Sequence, residues 1–389
     1  MMRLAMVTPL PPEPTGIADY SAELAPALAA RCRLTLYSAH PPRLPSRAAI
    51  PWQPVAEFRG PAGANSWDVA LYQLGNSLAH EPAYRAALAW PGVVVLHDPV
   101  IHHFISAITE HRGDGAGYIR EMLYSHGVAG GRAARGALHR VRGVVAEAWP
   151  LTGRVVDASL GVIVHSEAAA ALVRQGRPEA QVAVVPHLVA PPTRLDRAAA
   201  RRALGLPVQA LLFGVFGLVT PEKHLDATVR ALNALAPELP DWRLVIVGED
   251  GGALEPALAA AAPGVRERTL VTGRVSWRDF GRALAAVDLA IALRWPTRGE
   301  TSGAALRALA AGTPLVASAV GAFRELPPDA VTLVPPEDEE ALAAALRTLA
   351  LDPAGRAARG EAGRRWAAVT LAPDAVAEQY LAAIAQFAG

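Results

Sequence analysis

The chain has 389 residues, 37 basic and 36 acidic side chains, and a formal net charge of +1. That length exceeds what one core usually serves, so two domains are expected, and 52% hydrophobic with 19% charged residues excludes a disordered chain. Near-zero charge argues against nucleic acid as a partner, and a single cysteine, Cys32, excludes an internal disulfide or a cysteine-rich zinc site.

Residues 1–9 do not read as a secretory signal, because the apolar run is short and prolines follow at once. No run of about 18 uninterrupted apolar residues occurs. The nearest, 284–293, is broken by Asp288. With the lone cysteine this predicts a cytoplasmic protein.

Short apolar runs then alternate with helical patterns. Strands are predicted at 4–8, 34–37, 69–74, 93–97, 161–164 and 182–185. The series resumes at 211–216, 244–247, 269–271, 289–293, 315–317 and 331–334. Continuous Val/Ile/Leu runs suit strands buried on both faces of a parallel sheet. Helical patterns lie between them, among them 20–30, 166–175, 227–236 and 340–351. The rhythm implies an α/β chain of doubly wound parallel sheets. It pauses at the proline-rich stretch 186–192, which divides a first domain (1–190) from a second (191–373). A helix-rich insertion without clear strands occupies 101–157. Within it, 132–142 carries four arginines and no acid, so it offers a contact to an anionic membrane surface or an acidic acceptor beside the plainer reading of a solvated helix face.

In open α/β sheets ligands bind beyond the carboxyl ends of the strands. After the first strand, 11–21 holds Gly16, where backbone approaches a ligand closely, and Asp19 and Tyr20 follow. It lacks the GxGxxG fingerprint, which disfavours a nicotinamide enzyme. After the fourth strand stand His97 and Asp98, suited to a sugar hydroxyl or a proton. His102 and His103 lack a metal-ligand pattern and read as structural. One of the 37 basic residues is lysine, Lys223, and all others are arginine. A lysine kept against that bias marks a place where a compact ammonium is needed. Thr220 reads as an N-cap and Pro221 as N1, so Lys223 falls at N3 of a helix, where an anion is welcome. Finally, Arg294, Arg298, Glu300, Thr301, Ser302 and Gly303 form a polar loop entering a small-residue helix. Its first amides face an anion, and Glu300 accepts from sugar hydroxyls.

Together these residues resemble the retaining glycosyltransferase family 4. The resemblance runs through Gly16, Leu96-His97-Asp98, Val164-His165-Ser166-Glu167, Pro221-Glu222-Lys223, residues 308–316, Val334-Pro335-Pro336 and Trp366, and it ends at a last helix over about 374–389. It implies the GT-B fold: two Rossmann-like domains facing across a cleft, the last helix returning to the first domain. It implies transfer of a sugar from a nucleotide-sugar donor to a sugar, lipid-linked or small-molecule acceptor, with retention and without metal or other cofactor. By the same resemblance Lys223, Arg294, Arg298, Glu300, Thr301, Ser302, Gly303 and Gly16 bind the donor, and His97, Lys223 and Glu300 are catalytic. Asp19, Tyr20, His97 and Asp98 face the acceptor. The sequence departs from the family at Leu218, where an arginine is usual and Arg294 or Arg298 would take its place. It departs again at Gly299 and Arg307, which align with the family's glutamate pair and displace Glu300 by one step. A GT-B nucleotide-sugar epimerase and a sugar-nucleotide-binding module without transfer activity are the competing readings.

Overall fold

A computed structural model describes every residue except 45–48, 61–65, 140, 142, 193, 194 and 240. Arg140 and Arg142 of the basic segment therefore lie outside the described residues. The chain divides into two compact units, one of Met1–Leu188, Arg298–Thr301 and Leu371–Gly389, the other of Val189–Thr297 and Ser302–Thr370.

The first unit holds β1 (Arg3–Val7), β2 (Arg33–Ser38), β3 (Trp52–Pro54), β4 (Val69–Leu74), β5 (Val93–Leu96), β6 (Gly161–Val164) and β7 (Val182–Val184). They form one parallel sheet in the order β3-β2-β1-β4-β5-β6-β7. β1, β4, β5 and β6 are buried almost throughout, as their unbroken apolar runs require. β3 was not expected. It is three residues long, lies at the sheet edge and ends on a proline, which an edge strand tolerates. The first helix, Gly16–Ala29, starts earlier than its apolar pattern, because Thr15 Oγ1 accepts the Ala18 N–H at 3.0 Å and caps it. The C-terminal helix, Pro373–Ala388, packs within this unit: Tyr380 meets Tyr20 hydroxyl to hydroxyl at 2.7 Å, and Phe387 covers Gly161, where a Cβ would clash.

In the insertion, the helical segment Gly115–Leu138 turns back on itself at Gly127 (φ 61°, ψ −154°), a conformation essentially reserved for glycine. The arms 115–126 and 128–138 run antiparallel. A Cβ on Gly130 would sit 2.3 Å from the Met122 carbonyl oxygen, one on Gly131 2.6 Å from Leu123 Cδ2, and one on Gly115 3.2 Å from Leu138 Cδ1. The glycines let the two arms touch.

The second unit holds β8 (Leu211–Phe216), β9 (Trp242–Val247), β10 (Thr269–Gly273), β11 (Leu289–Ala292), β12 (Leu315–Ser318) and β13 (Val331–Val334). Their order is β10-β9-β8-β11-β12-β13, again all parallel. Strand order reverses between β8 and β11, so the ligand crevice is expected at their carboxyl ends. At their amino ends sits Asp288, the acid that interrupts the longest apolar run. Its Oδ2 accepts from Arg201 Nη2 at 2.6 Å and from the Leu212 N–H at 2.8 Å, and its Oδ1 from Arg197 at 2.9 Å. Arg201 is only 4% exposed and spends its other donors on the Ala286, Val208 and Ala210 carbonyls.

Breaking a buried pair leaves the surviving charge uncompensated. Asp288→Ala is expected to cost about 3–5 kcal/mol, read as a lower midpoint in urea denaturation. A change below about 1 kcal/mol would mean that water replaces the carboxylate.

Candidate functional site

In the second unit a pocket opens at the carboxyl ends of β8 and β11, lined among others by Phe216, Lys223, Thr228, Ile291, Arg294 and Ser302. Lys223 does not stand at N3 of an α-helix, as the sequence suggests. Pro221–Lys223 form a single 3-10 turn, His224 adopts left-handed backbone (φ 45°, ψ 50°), and the helix begins anew at Leu225–Leu235. The reason is a lock on the loop after β11. His224 Nε2 pairs with the Trp295 carbonyl at 2.8 Å, and the Trp295 N–H donates to the Glu222 carbonyl at 2.8 Å. The turn directs Lys223 back over the strand end, where Nζ donates to the Phe216 carbonyl at 2.8 Å. Burial first, and the neighbouring Arg294 charge second, bring the Lys223 pKa down to about 7. Arg294 lines the same pocket as Lys223. Ser302 caps the helix Gly303–Ala311 by accepting the Ala305 N–H at 3.3 Å. Its hydroxyl is therefore engaged, and the first helical amides remain the anion-facing groups. Arg307, at the position of the family's second glutamate, stacks its guanidinium 4.6 Å over the Trp277 ring.

In the first unit, Arg298 Nε donates to Glu147 at 2.9 Å, so this arginine is a structural tie instead of a ligand cation. Glu300 Oε2 accepts the Arg298 N–H at 2.8 Å, which fixes the carboxylate against its own loop. Gly299 has φ 81°, and a Cβ there would lie 2.6 Å from Leu172 Cδ1 and 2.7 Å from Pro99 Cγ. A glutamate at 299 would be doubly excluded, which accounts for its displacement to 300. Thr301 Oγ1 is buried without a hydrogen-bond partner among the described residues. Gly16 opens the first helix, and a Cβ there would meet nothing within 4 Å. Asp19 is half-buried in the following turn.

His97 and Tyr20 depart from the acceptor-facing role. His97 is 8% exposed, with Nε2 2.7 Å from the Gln73 side-chain amide and Nδ1 3.1 Å from His165 Nε2. His165 Nδ1 lies 2.9 Å from the Val185 carbonyl. Both ring nitrogens of His97 are spent inside the unit. Tyr20 turns its hydroxyl to Tyr380 and packs its ring edge-on to His97 at 4.7 Å. Asp98 accepts the Asn76 N–H at 2.9 Å, and Asn76 in turn accepts the Phe104 N–H at 2.8 Å, so Asp98 holds the loop. His102 is bound by the Trp149 carbonyl and the Tyr118 hydroxyl. Sequence reading passed over Gln73, although a polar residue inside the apolar run of β4 is a visible signal.

This histidine chain carries few protons. Burial pushes His97 well below its ordinary value and His165 and His80 down to about 4. The Val185 carbonyl and Gln73 Oε1 can only accept, so His165 donates from Nδ1 and His97 from Nε2, and each neutral imidazole spends its one proton outward.

Against known proteins, residues 210–352 match the family model described as Glycosyl transferases group 1. The matched stretch contains Lys223, Arg294, Ser302 and Gly303. Curated relatives include a D-inositol 3-phosphate glycosyltransferase of Stackebrandtia nassauensis, 39% identical over 180 residues, covering 43% of this chain and 40% of the relative. Another is the lipopolysaccharide core biosynthesis mannosyltransferase LpsB of Rhizobium meliloti, 38% identical over 138 residues, covering 34% and 38%. The chain thus spans about two fifths of the length of these relatives. Among solved structures, sucrose-phosphate synthase of Thermosynechococcus elongatus superposes with TM-score 0.68 at 17% identity over 99% of both chains. HepE of Anabaena in complex with UDP-glucose gives 0.68 at 17%, over 99% of this chain and 100% of that one. Each unit is thus a Rossmann-like parallel-sheet domain, and the fold is the one these solved structures share.

The neutral histidines set an acid limit. Unfolded, His80 and His165 bind protons near 6.5; folded, only near 4. Their stabilisation is present above pH 6.5 and is lost as pH falls toward 4, by on the order of 3 kcal/mol each. Urea midpoints measured across that window are expected to fall, and His97→Gln with His165→Gln to flatten the fall. A midpoint independent of pH there would contradict the neutral chain.

Proposed function

We propose that the chain is a glycosyltransferase that moves a sugar from a nucleotide-sugar donor to an acceptor hydroxyl with retention of anomeric configuration, in polysaccharide, glycolipid or glycoconjugate synthesis. One observation carries the reading: the sole lysine is pinned at the carboxyl end of β8, in a pocket it shares with Arg294 and Ser302, a set of groups suited to an anion. The matched family model, the glycosyltransferase names of the relatives and the UDP-glucose complex of a similarly folded protein support it.

In this reading the donor diphosphate displaces the Phe216 carbonyl from Lys223 and takes the ammonium, the Arg294 guanidinium and the amides of Ser302 and Gly303. These groups stabilise charge as it develops on the departing phosphate, so no metal is needed. Glu300 and Thr301 accept from and donate to hydroxyls of the donor. Gly16 leaves room for a ligand against its backbone, and Asp19 and Asp98 flank the acceptor side. His97, with both ring nitrogens spent inside the first unit, carries no proton in this reading.

Lys223→Ala is expected to lower donor turnover by at least about 100-fold, the usual cost of removing one such donor, with an unchanged melting temperature. Unchanged turnover would sink the phosphate assignment. Retention is read separately, from the anomeric coupling of the product by NMR; an inverted product would overturn that part alone.

The lysine also couples binding to protons. With its pKa near 7 the free site is largely neutral at pH 8, and a diphosphate raises that pKa. Calorimetry of UDP binding at pH 8 in buffers of different ionisation enthalpy is expected to show uptake of nearly one proton, vanishing in Lys223→Met. No buffer dependence in the native protein would place the diphosphate elsewhere.

A further inference from the structure

The helical hairpin of the first unit shows a face that its own core does not use. Positions 120, 123 and 124 are exposed on one side of the first arm, and 128, 132 and 135 on one side of the second. The face holds Leu123 (42% exposed), Tyr124 (44%) and Val128 (65%) together with Arg120, Arg132 and Arg135. Two exposed valines, Val141 and Val145, follow the second arm.

The arginines of the second arm are uncompensated. The only acid within 115–138 is Glu121, and it is taken by Arg154 at 2.8 Å. Arg154 lies 4.2 Å over the Tyr124 ring, so that pair braces the aromatic side chain in place. Arg120 leans on Asp114 at 3.6 Å. Arg132 and Arg135 have no carboxylate partner among the described residues. Two arginines without carboxylate partners, beside exposed apolar side chains, match a surface that is anionic outside and apolar beneath. An acidic protein surface would satisfy the arginines but leave Val128 and Leu123 without the depth that a lipid interface provides. No helix among the described residues is long and apolar enough to cross a membrane, so the contact is a lateral one.

We propose that this hairpin docks the protein on an anionic lipid bilayer, Arg132 and Arg135 meeting headgroup phosphates and Val128 entering the interface. The proposal does not depend on the donor-site reading. The full chain is sedimented with vesicles of phosphatidylcholine and with vesicles of phosphatidylcholine and phosphatidylglycerol. Binding is expected to the second kind only. Arg132→Glu with Arg135→Glu is expected to weaken it by at least about 30-fold, since each basic residue near an anionic surface contributes roughly fivefold. Arg132→Lys with Arg135→Lys keeps it. Val128→Ser, chosen because Val128 is exposed whereas Leu123 also contacts Gly131, is expected to weaken it without changing the melting temperature. Absence of binding to the anionic vesicles, equal binding to both kinds, or binding untouched by the double glutamate variant would each overturn the proposal. Capture of an acidic protein without vesicle binding would do so too.

Discussion

The second unit depends on one buried carboxylate. Asp288 joins the amino ends of β8 and β11 through the Leu212 amide and anchors Arg201, whose remaining donors close three backbone carbonyls. It stands where strand order reverses, at the end of the two strands opposite the Lys223 pocket. The pocket's geometry is the distance between two strand ends, and that distance is set by the register these bonds hold, Leu289 beside Phe213 and Ile291 beside Val215. A buried ion pair need not stabilise more than a matched apolar pair would. Its value here is direction: an apolar contact would permit sliding, whereas a carboxylate with three fixed donors does not.

A similar economy governs the first unit. Gln73, His97, His165, Tyr20 and Tyr380 bring five polar side chains into a packed interior, and each has a partner. Buried polar groups are tolerated only when satisfied, and a chain of neutral groups achieves this without any buried charge. The consequence for the site is indirect. The residues closest to the usual image of a catalytic histidine are those least able to exchange a proton with solvent.

Much of the architecture was legible. Twelve of the thirteen strands among the described residues sit on the short apolar runs that predict them, and the βα rhythm fixes a parallel sheet because no hairpin turn separates them. β3 escaped because an edge strand needs no apolar run. The loop carrying Lys223 was placed correctly, but its local form was not. Thr220-Pro221 looks like a helix start, and only the bonds from the distant Trp295 reveal that the turn is closed by His224 and started again. Arg298 illustrates the same limit: its charge is plain in the sequence, its partner Glu147 is not. Hydrogen bonds across long sequence separations decide whether a polar residue faces a ligand or the protein, and no local pattern encodes them.

The solitary lysine has a chemical corollary. Apart from the α-amino group, Lys223 is the sole primary amine of the chain, and its lowered pKa leaves a large share of it unprotonated near neutrality. An arginine-rich surface offers amine-directed reagents no other side chain. Acetyl donors or aldehydes that modify other proteins at dozens of lysines would here meet one lysine nitrogen, and that nitrogen lines the pocket.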